Sequence, residues 1–386
     1  MTSSDQPFLP LAEPDLGPLE EQYLLDALRS GWISSIGAYV KRFEDSFASL
    51  CGVDHAVAVS NGTVALHLAL GAAGVGPGDE VIIPALTFAA TAAAVRHAGA
   101  EPVFVDSEPA IGTMDPAAVA KAVSPRTKAV IPVHLYGHPA DMGPIMEVAR
   151  TRGLVVIEDA AEAHGARCRG RVVGGIGHMA AFSFYGNKIL TTGEGGIVTT
   201  GDAGLARRLH FLKDHAMDPE RRYWHPEVGF NYRITNLQAA VGCAQVERYP
   251  ELIARRQQVV EHYRAAFAGT GVEINPRRSW AEPAPWLACA LLPPGTSRDD
   301  RDTLMADLKG ERIDSRPYFY LISEMPPYVG FRRVGVDGAE LGVASDLSQR
   351  GLNLPTLAAL GQAEAKRVAS CVRRSLRSER GRAGAR

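Results

Sequence analysis

Val155-Val156-Ile157-Glu158-Asp159, then Phe182-Ser183-Phe184-Tyr185-Gly186-Asn187-Lys188 and Thr191-Thr192-Gly193-Glu194-Gly195-Gly196, are the stretches from which the fold is read. The first is an apolar, strand-like run that delivers a carboxylate at its end. The second carries a lysine into a glycine-rich turn. Taken singly, a lysine is usually a solvated surface group and an aspartate after a strand usually caps a helix or turn. Taken together they describe a pyridoxal phosphate site. A lysine amine condenses with the cofactor aldehyde, and a buried aspartate keeps the pyridine nitrogen protonated so that the ring accepts electrons.

Around these segments, apolar runs at Ala56–Val59, Glu80–Pro84, Pro102–Val105, Ala129–Val133 and Val155–Glu158 alternate with alanine-rich, helix-period stretches such as Thr63–Ala73 and Thr91–Ala98. Strands that are apolar throughout are buried on both faces, the mark of a mostly parallel sheet. Such sheets bind ligands beyond the carboxyl ends of their strands. The pattern predicts an α/β protein with a large domain over residues 1–250. A smaller α+β domain follows over 251–386, with a helix at Ile253–Phe267, a strand at Trp286–Leu292, a helix at Arg301–Leu308 and a basic, frayed tail at Arg373–Arg382.

The remaining cofactor candidates lie in the same strand-end loops. Ser60-Asn61-Gly62-Thr63 opens a helix, where free N–H groups and the helix dipole favour a phosphate, although Asn61 or Thr63 serving as a plain N-cap would look the same. Phe88 follows the Glu80–Pro84 run and is placed to stack on the ring, as well as being a candidate for the core. Glu162, one helical turn after Asp159, is near enough to reach the ring hydroxyl, and Ser183, five residues before Lys188, can donate to the phosphate.

Composition narrows the other functions. The net charge of −2 over 386 residues leaves no electrostatic footprint for nucleic acid, and no apolar stretch approaches the roughly 20 residues of a membrane span. The Met1–Pro7 segment lacks a basic stretch leading into an apolar one, so a cytoplasmic setting is expected. Cys51, Cys168, Cys243, Cys289 and Cys371 have no CxxC spacing and the eleven histidines no HExxH spacing, so neither a metal site nor a disulfide framework is expected.

Six segments in order carry a resemblance to a known family: Gly31-Trp32-Ile33-Ser34-Ser35, Asn61-Gly62-Thr63, Glu158-Asp159-Ala160-Ala161-Glu162-Ala163, Phe182–Lys188, Gly229-Phe230-Asn231-Tyr232-Arg233 and Asn353-Leu354-Pro355. The chain resembles the DegT/DnrJ/EryC1/StrS sugar aminotransferases, which have the aspartate aminotransferase-like fold, PLP fold type I. The resemblance implies that Lys188 bonds the cofactor, Asp159 pairs with its ring nitrogen and Phe88 stacks on the ring. It implies further that Glu162 lies near the ring hydroxyl and that Gly62, Thr63 and Ser183 bind the phosphate. Asn231 matches a residue given to the neighbouring subunit's phosphate, so a homodimer with shared active sites is implied. By itself Asn231-Tyr232-Arg233 reads as an ordinary turn.

Within the family the likeness is to the perosamine-forming members, which aminate the 4-keto group of GDP-4-keto-6-deoxymannose. L-glutamate is the implied amino donor, a keto-sugar nucleotide the acceptor, and the cofactor cycles between pyridoxal and pyridoxamine phosphate. Candidate substrate residues are Trp32, Arg221, Tyr223, Trp224, Arg316 and Tyr318, since guanidinium groups pair with phosphate and aromatic faces stack on bases. The Ala216–Arg233 stretch reads equally as an interface loop. Two positions depart from the perosamine-type pattern: Ser323 stands where a histidine is expected, and Ala288 where a tyrosine commonly follows Trp286 and Leu287. Open alternatives are a dehydratase on the same scaffold, which typically carries histidine at the Lys188 position, a nucleoside, cyclitol or acyclic ketone as acceptor, and a catalytically silent sugar-binding partner.

Overall fold

The computed structural model describes residues 6–336 and 340–383, with side chains described as far as Arg377. Its larger unit is built on an eight-stranded sheet with the spatial order His55–Val59, Gly196–Thr200, Met179–Ser183, Val155–Asp159, Thr127–Val130, Glu80–Pro84, Glu101–Val105, Arg333–Val334. Gly196–Thr200 runs against both neighbours, and from Met179–Ser183 outward every adjacent pair is parallel. The Glu80–Pro84 and Met179–Ser183 strands are buried at every position, as continuous apolar runs require. The Ala129–Val133 run pairs as a strand only over Thr127–Val130. Pro132 has no N–H to offer the ladder, and pairing resumes as a single bridge between Val133 and Asp159.

Packed behind the Lys188 segment is an aromatic cluster. Phe47 of the Ala38–Cys51 helix meets Phe182 edge-on at 4.8 Å and Phe184 at 5.2 Å between ring centroids, and all three are fully buried. Phe47→Ala is expected to cost about 3–5 kcal/mol, read as a lowered denaturant midpoint with an unchanged m-value.

The smaller unit has a four-stranded antiparallel sheet that includes Ala288–Leu291 and Gly351–Leu354. Its core takes Val259, Val260 and Tyr263 from the long Tyr249–Phe267 helix and Leu304 and Leu308 from the Arg298–Gly310 helix. The chain crosses the expected division near residue 250 in both directions. Leu9 packs in the smaller core and bridges Ile313, while Tyr318, Ile322, Tyr328 and Leu347 pack in the larger one and Arg333–Val334 edges the large sheet. The last helix, Gln362–Ala383, runs through the segment expected to fray. Ala365, Val368, Ala369 and Val372 recur on one face and are buried, with Leu376 packed beside them, while Arg374 and Arg377 are exposed. Among the described residues no helix is long and apolar enough to cross a membrane.

Candidate active site

Four parallel-sheet strand ends converge on one edge of the large sheet and bring most of the expected cofactor residues together. The Val155–Asp159 strand ends on Asp159, which is buried and accepts hydrogen bonds from Thr91 Oγ1 at 2.8 Å and the Ala161 N–H at 3.3 Å. Thr91 lies one turn from Phe88, the N-cap of the Ala89–His97 helix, so Phe88 and the Asp159 ligand share a face. Burial pushes the Asp159 carboxyl up, against the pull of Thr91, the Ala161 N–H and the nearby Lys188 charge. A cation set against it, such as a protonated ring nitrogen, would stabilise its charged form.

Beneath Asp159, Glu158 and His134 form a fully buried pair, Nε2 to Oε2 at 3.0 Å. The Ala140 N–H donates to His134 Nδ1 at 3.0 Å, which leaves Nε2 as the donor to Glu158. Glu158 also accepts the N–H groups of Gly174, Ile176 and Gly177. Burial alone would raise its carboxyl, yet the His134 bond and these N–H groups hold it below the ordinary value.

Lys188 is largely enclosed, its side chain 12% exposed, with Nζ 3.8 Å from Glu162 Oε1 and 3.7 Å from the centre of the Trp286 ring. Burial lowers its proton affinity against the attraction of Glu162 and Asp159. Glu162 is carried on a turn rather than the helix its spacing suggested, because the Ala163 N–H bonds back to the Ala160 carbonyl. Its other oxygen accepts the Tyr136 N–H at 2.7 Å, and burial pushes its carboxyl up to about 7. The native chain therefore holds this proton more tightly than the unfolded chain does. Its contribution to stability falls as pH rises from about 4.5 through about 7. Glu162→Gln is expected to flatten that part of a melting-temperature–pH profile of the cofactor-free protein.

At the start of the Gly62–Ala72 helix, Asn61 is the N-cap and its Oδ1 accepts the Val64 N–H at 3.0 Å. First-turn N–H groups, including those of Gly62 and Thr63, have no intrahelical acceptor. A Cβ at Gly62 would lie 2.7 Å from Ser183 Cβ, so only glycine lets the helix end and Ser183 approach this closely. The resulting cradle of first-turn N–H groups and a hydroxyl suits a phosphate. With a carboxylate able to hold a ring nitrogen protonated, an enclosed amine and a phosphate cradle on one edge, the donor set fits pyridoxal phosphate. Gly62→Ala is expected to weaken cofactor retention at least tenfold while costing about 1–3 kcal/mol of stability, measured by cofactor titration and thermal melting.

Two contributors were not anticipated. Tyr136 adopts a left-handed backbone with φ of 52°, which aims its N–H at Glu162 while its ring stacks on Phe319 at 5.1 Å and Trp286 at 6.2 Å. Its segment, Val133-His134-Leu135-Tyr136-Gly137, follows an apolar run, and that strand-end position was the available signal. Trp286 comes from beyond residue 250, where no local pattern points back to Lys188.

The expected substrate residues divide. Trp32, Tyr223 and Trp224 are exposed, and Arg221 lies 4.2 Å over the Trp224 ring. Arg316 is exposed and paired with Asp314 at 2.7 Å. Tyr318 is buried: its ring packs 4.7 Å from Tyr136, and a Cβ at Gly351 would sit 2.3 Å from it, so glycine is required there. Its aromatic surface serves the junction between the two cores. Ser323 and Ala288 are likewise fully buried and reach a ligand only through packing. Ile322, the residue before Ser323, donates its N–H to the Ala85 carbonyl, tying the Ser323 segment to the large unit. Asn231 lies on a bridge to Asp214 with its Oδ1 held by Arg233, and among the described residues no hydrogen bond joins it to the Lys188 cluster.

Residues 14–373 match the DegT/DnrJ/EryC1/StrS aminotransferase family. The chain belongs to that family. It is a pyridoxal phosphate-dependent aminotransferase. The aminotransferase is 47% identical over 372 residues to the GDP-perosamine synthase of Caulobacter vibrioides, covering 95% of this chain and 97% of that protein. It is 40% identical to the GDP-perosamine synthase of Escherichia coli O157:H7, over 92% of this chain and 94% of that one. Among solved structures, DesI crystallised in the presence of its TDP-sugar product superposes with a TM-score of 0.89 at 35% identity, covering 98% of this chain and 95% of that one.

Proposed function

We propose that this aminotransferase transfers the amino group of L-glutamate to the 4-keto group of a nucleotide-linked deoxysugar of the GDP-4-keto-6-deoxymannose type. The observation that carries the chemistry is the enclosed Lys188 amine, set between Glu162 and the Trp286 ring with Asp159 on the adjoining strand end. The near full-length likeness to GDP-perosamine synthases supports the acceptor.

Bound at this edge, pyridoxal phosphate supplies an aldehyde for amine exchange and a ring that accepts electrons. The chain's own groups do the rest. Lys188 holds the cofactor and, once its amine is freed, takes the donor's α-proton at Nζ and returns it. Its lowered proton affinity favours the neutral, proton-accepting amine. Asp159 would hold a negative charge against the ring nitrogen, Phe88 would cover the ring, and Glu162 would lie toward the ring hydroxyl. Gly62, Thr63 and Ser183 hold the phosphate.

Asn231 completes the phosphate site of a second copy. Trp32, Ile33, Ile36, Tyr185, Trp224 and Val228 are exposed on the single chain, and Val228 is 91% exposed, which supports a homodimer that covers them. Arg221, Tyr223 and Trp224 on that surface, with Trp32 and Arg316, are assigned to the nucleotide sugar. The enzyme is placed in the cytoplasm, in amino sugar biosynthesis.

The test follows the visible absorbance of the purified protein as L-glutamate and then GDP-4-keto-6-deoxymannose are added, with mass spectrometry of the product. Bleaching by glutamate, recovery on adding the sugar and an amino-sugar mass support the reading. Bleaching without recovery overturns the acceptor and leaves the aminotransferase chemistry intact.

A further inference from the structure

The Tyr249–Phe267 helix passes from one core to the other. Leu252 and Ile253 pack in the larger core, and Val259 and Val260 in the smaller. Between them Arg256 is 6% exposed, and among the described residues no carboxylate lies within ion-pairing distance of its guanidinium. Its partners are two carbonyls instead: Nη1 donates to Trp286 O at 2.7 Å and Nη2 to Lys188 O at 3.0 Å. Trp286 closes the circuit, because its indole N–H donates to Asn187 O at 2.9 Å while its ring faces Lys188 Nζ. Two consecutive carbonyls, of Asn187 and Lys188, are thus held by two side chains from the far side of residue 250. Burying a cation without a carboxylate partner is unfavourable, and burial lowers the Arg256 proton affinity to about 10, which leaves it charged at neutral pH. A neutral side chain could not donate this planar fork.

We infer that Arg256 is a positioning residue for Lys188: its guanidinium fork ties the Lys188 peptide to Trp286, fixing where the amine points and setting a fixed positive charge behind it. The inference rests on the reading of Lys188 as the cofactor-bearing base. The charged or titratable groups around the amine are Glu162 and Asp159, which attract its proton, and Arg256, which repels it; buried His164, lowered to about 3, is neutral.

Two substitutions separate fork from charge. Arg256→Met removes both with little change in volume, and Arg256→Lys keeps the charge but cannot span both carbonyls. The first readout is the pH dependence of Lys188 acetylation by acetic anhydride in the cofactor-free protein, followed by peptide mass spectrometry. Arg256→Met is expected to raise the midpoint by about 1 pH unit through loss of the neighbouring charge, and Arg256→Lys to return it to the wild-type position. In the loaded enzyme Arg256→Lys is expected to keep the KM for glutamate while kcat stays about 10²-fold low, since a displaced reacting group is costly. A wild-type midpoint in Arg256→Met overturns the inference, as does wild-type kcat in Arg256→Lys. If Arg256→Met does not fold, the Arg256→Lys kcat decides alone. Labelling of the cofactor-free chain does not depend on the acceptor sugar, and turnover by Lys188→Ala would strike the Lys188 assignment instead, so the failures are distinguishable.

Discussion

Lys188→Ala is expected to abolish steady-state transamination, with turnover from glutamate to a keto-sugar acceptor reduced by about 10⁴-fold and no visible band from a covalently held cofactor. Nothing else described near the ring can replace the amine. Glu162 is the group next to Nζ, but it is committed to the Tyr136 N–H, and His164 is enclosed by Phe47, Phe182 and Phe184 with both ring nitrogens unpartnered. The fold should survive, because relieving an enclosed amine of its desolvation offsets part of the lost packing. Retained steady-state turnover in a folded Lys188→Ala protein, assayed with both substrates, would remove Lys188 from the mechanism.

Asp159→Asn is the second large effect. The amide keeps the shape, and its one oxygen can still accept from Thr91 at the cost of the longer bond from the Ala161 N–H, so the strand end stays in place. What it loses is the negative charge, and a buried charge aimed at a developing charge counts for most in a water-poor site. A fall in kcat/KM of about 10²–10³-fold is expected, with little change in melting temperature. Asp159→Glu should rescue poorly, since the extra methylene pushes the carboxylate past its Thr91 partner. A kcat/KM for Asp159→Asn within threefold of wild type would show that the ring nitrogen does not depend on this carboxylate.

Local chemistry made much of the site legible in advance. Val155–Asp159 reads as a buried strand because its residues are apolar and β-branched, and the carboxylate at its end is conspicuous for that reason. Ser60–Thr63 reads as a strand-to-helix junction because Asn61 is a strong N-cap. Glu162 was found by its proximity in sequence to Asp159, although a turn rather than a helix carries it. Other features left no such trace. The antiparallel course of Gly196–Thr200 depends on which strand it meets, not on its own residues. Tyr318 stands among the candidate substrate residues in the sequence, and only the close approach of Gly351 and Tyr136 shows that its ring is enclosed.

From sequence alone follow the α/β class, the chemistry of the Lys188–Asp159 pair and the phosphate-cradling helix start, because each is set by residues adjacent in the chain. The tertiary structure alone decided what surrounds the amine: Tyr136 from a left-handed turn, and Trp286 and Arg256 from beyond residue 250. Trp286 and Arg256 lie 98 and 68 positions from Lys188, and Tyr136 lies 26 from the Glu162 it holds, distances over which neither periodicity nor capping acts. Burial and hydrogen bonding between packed elements choose such partners, and they exist only once the two cores have closed around the Tyr249–Phe267 helix.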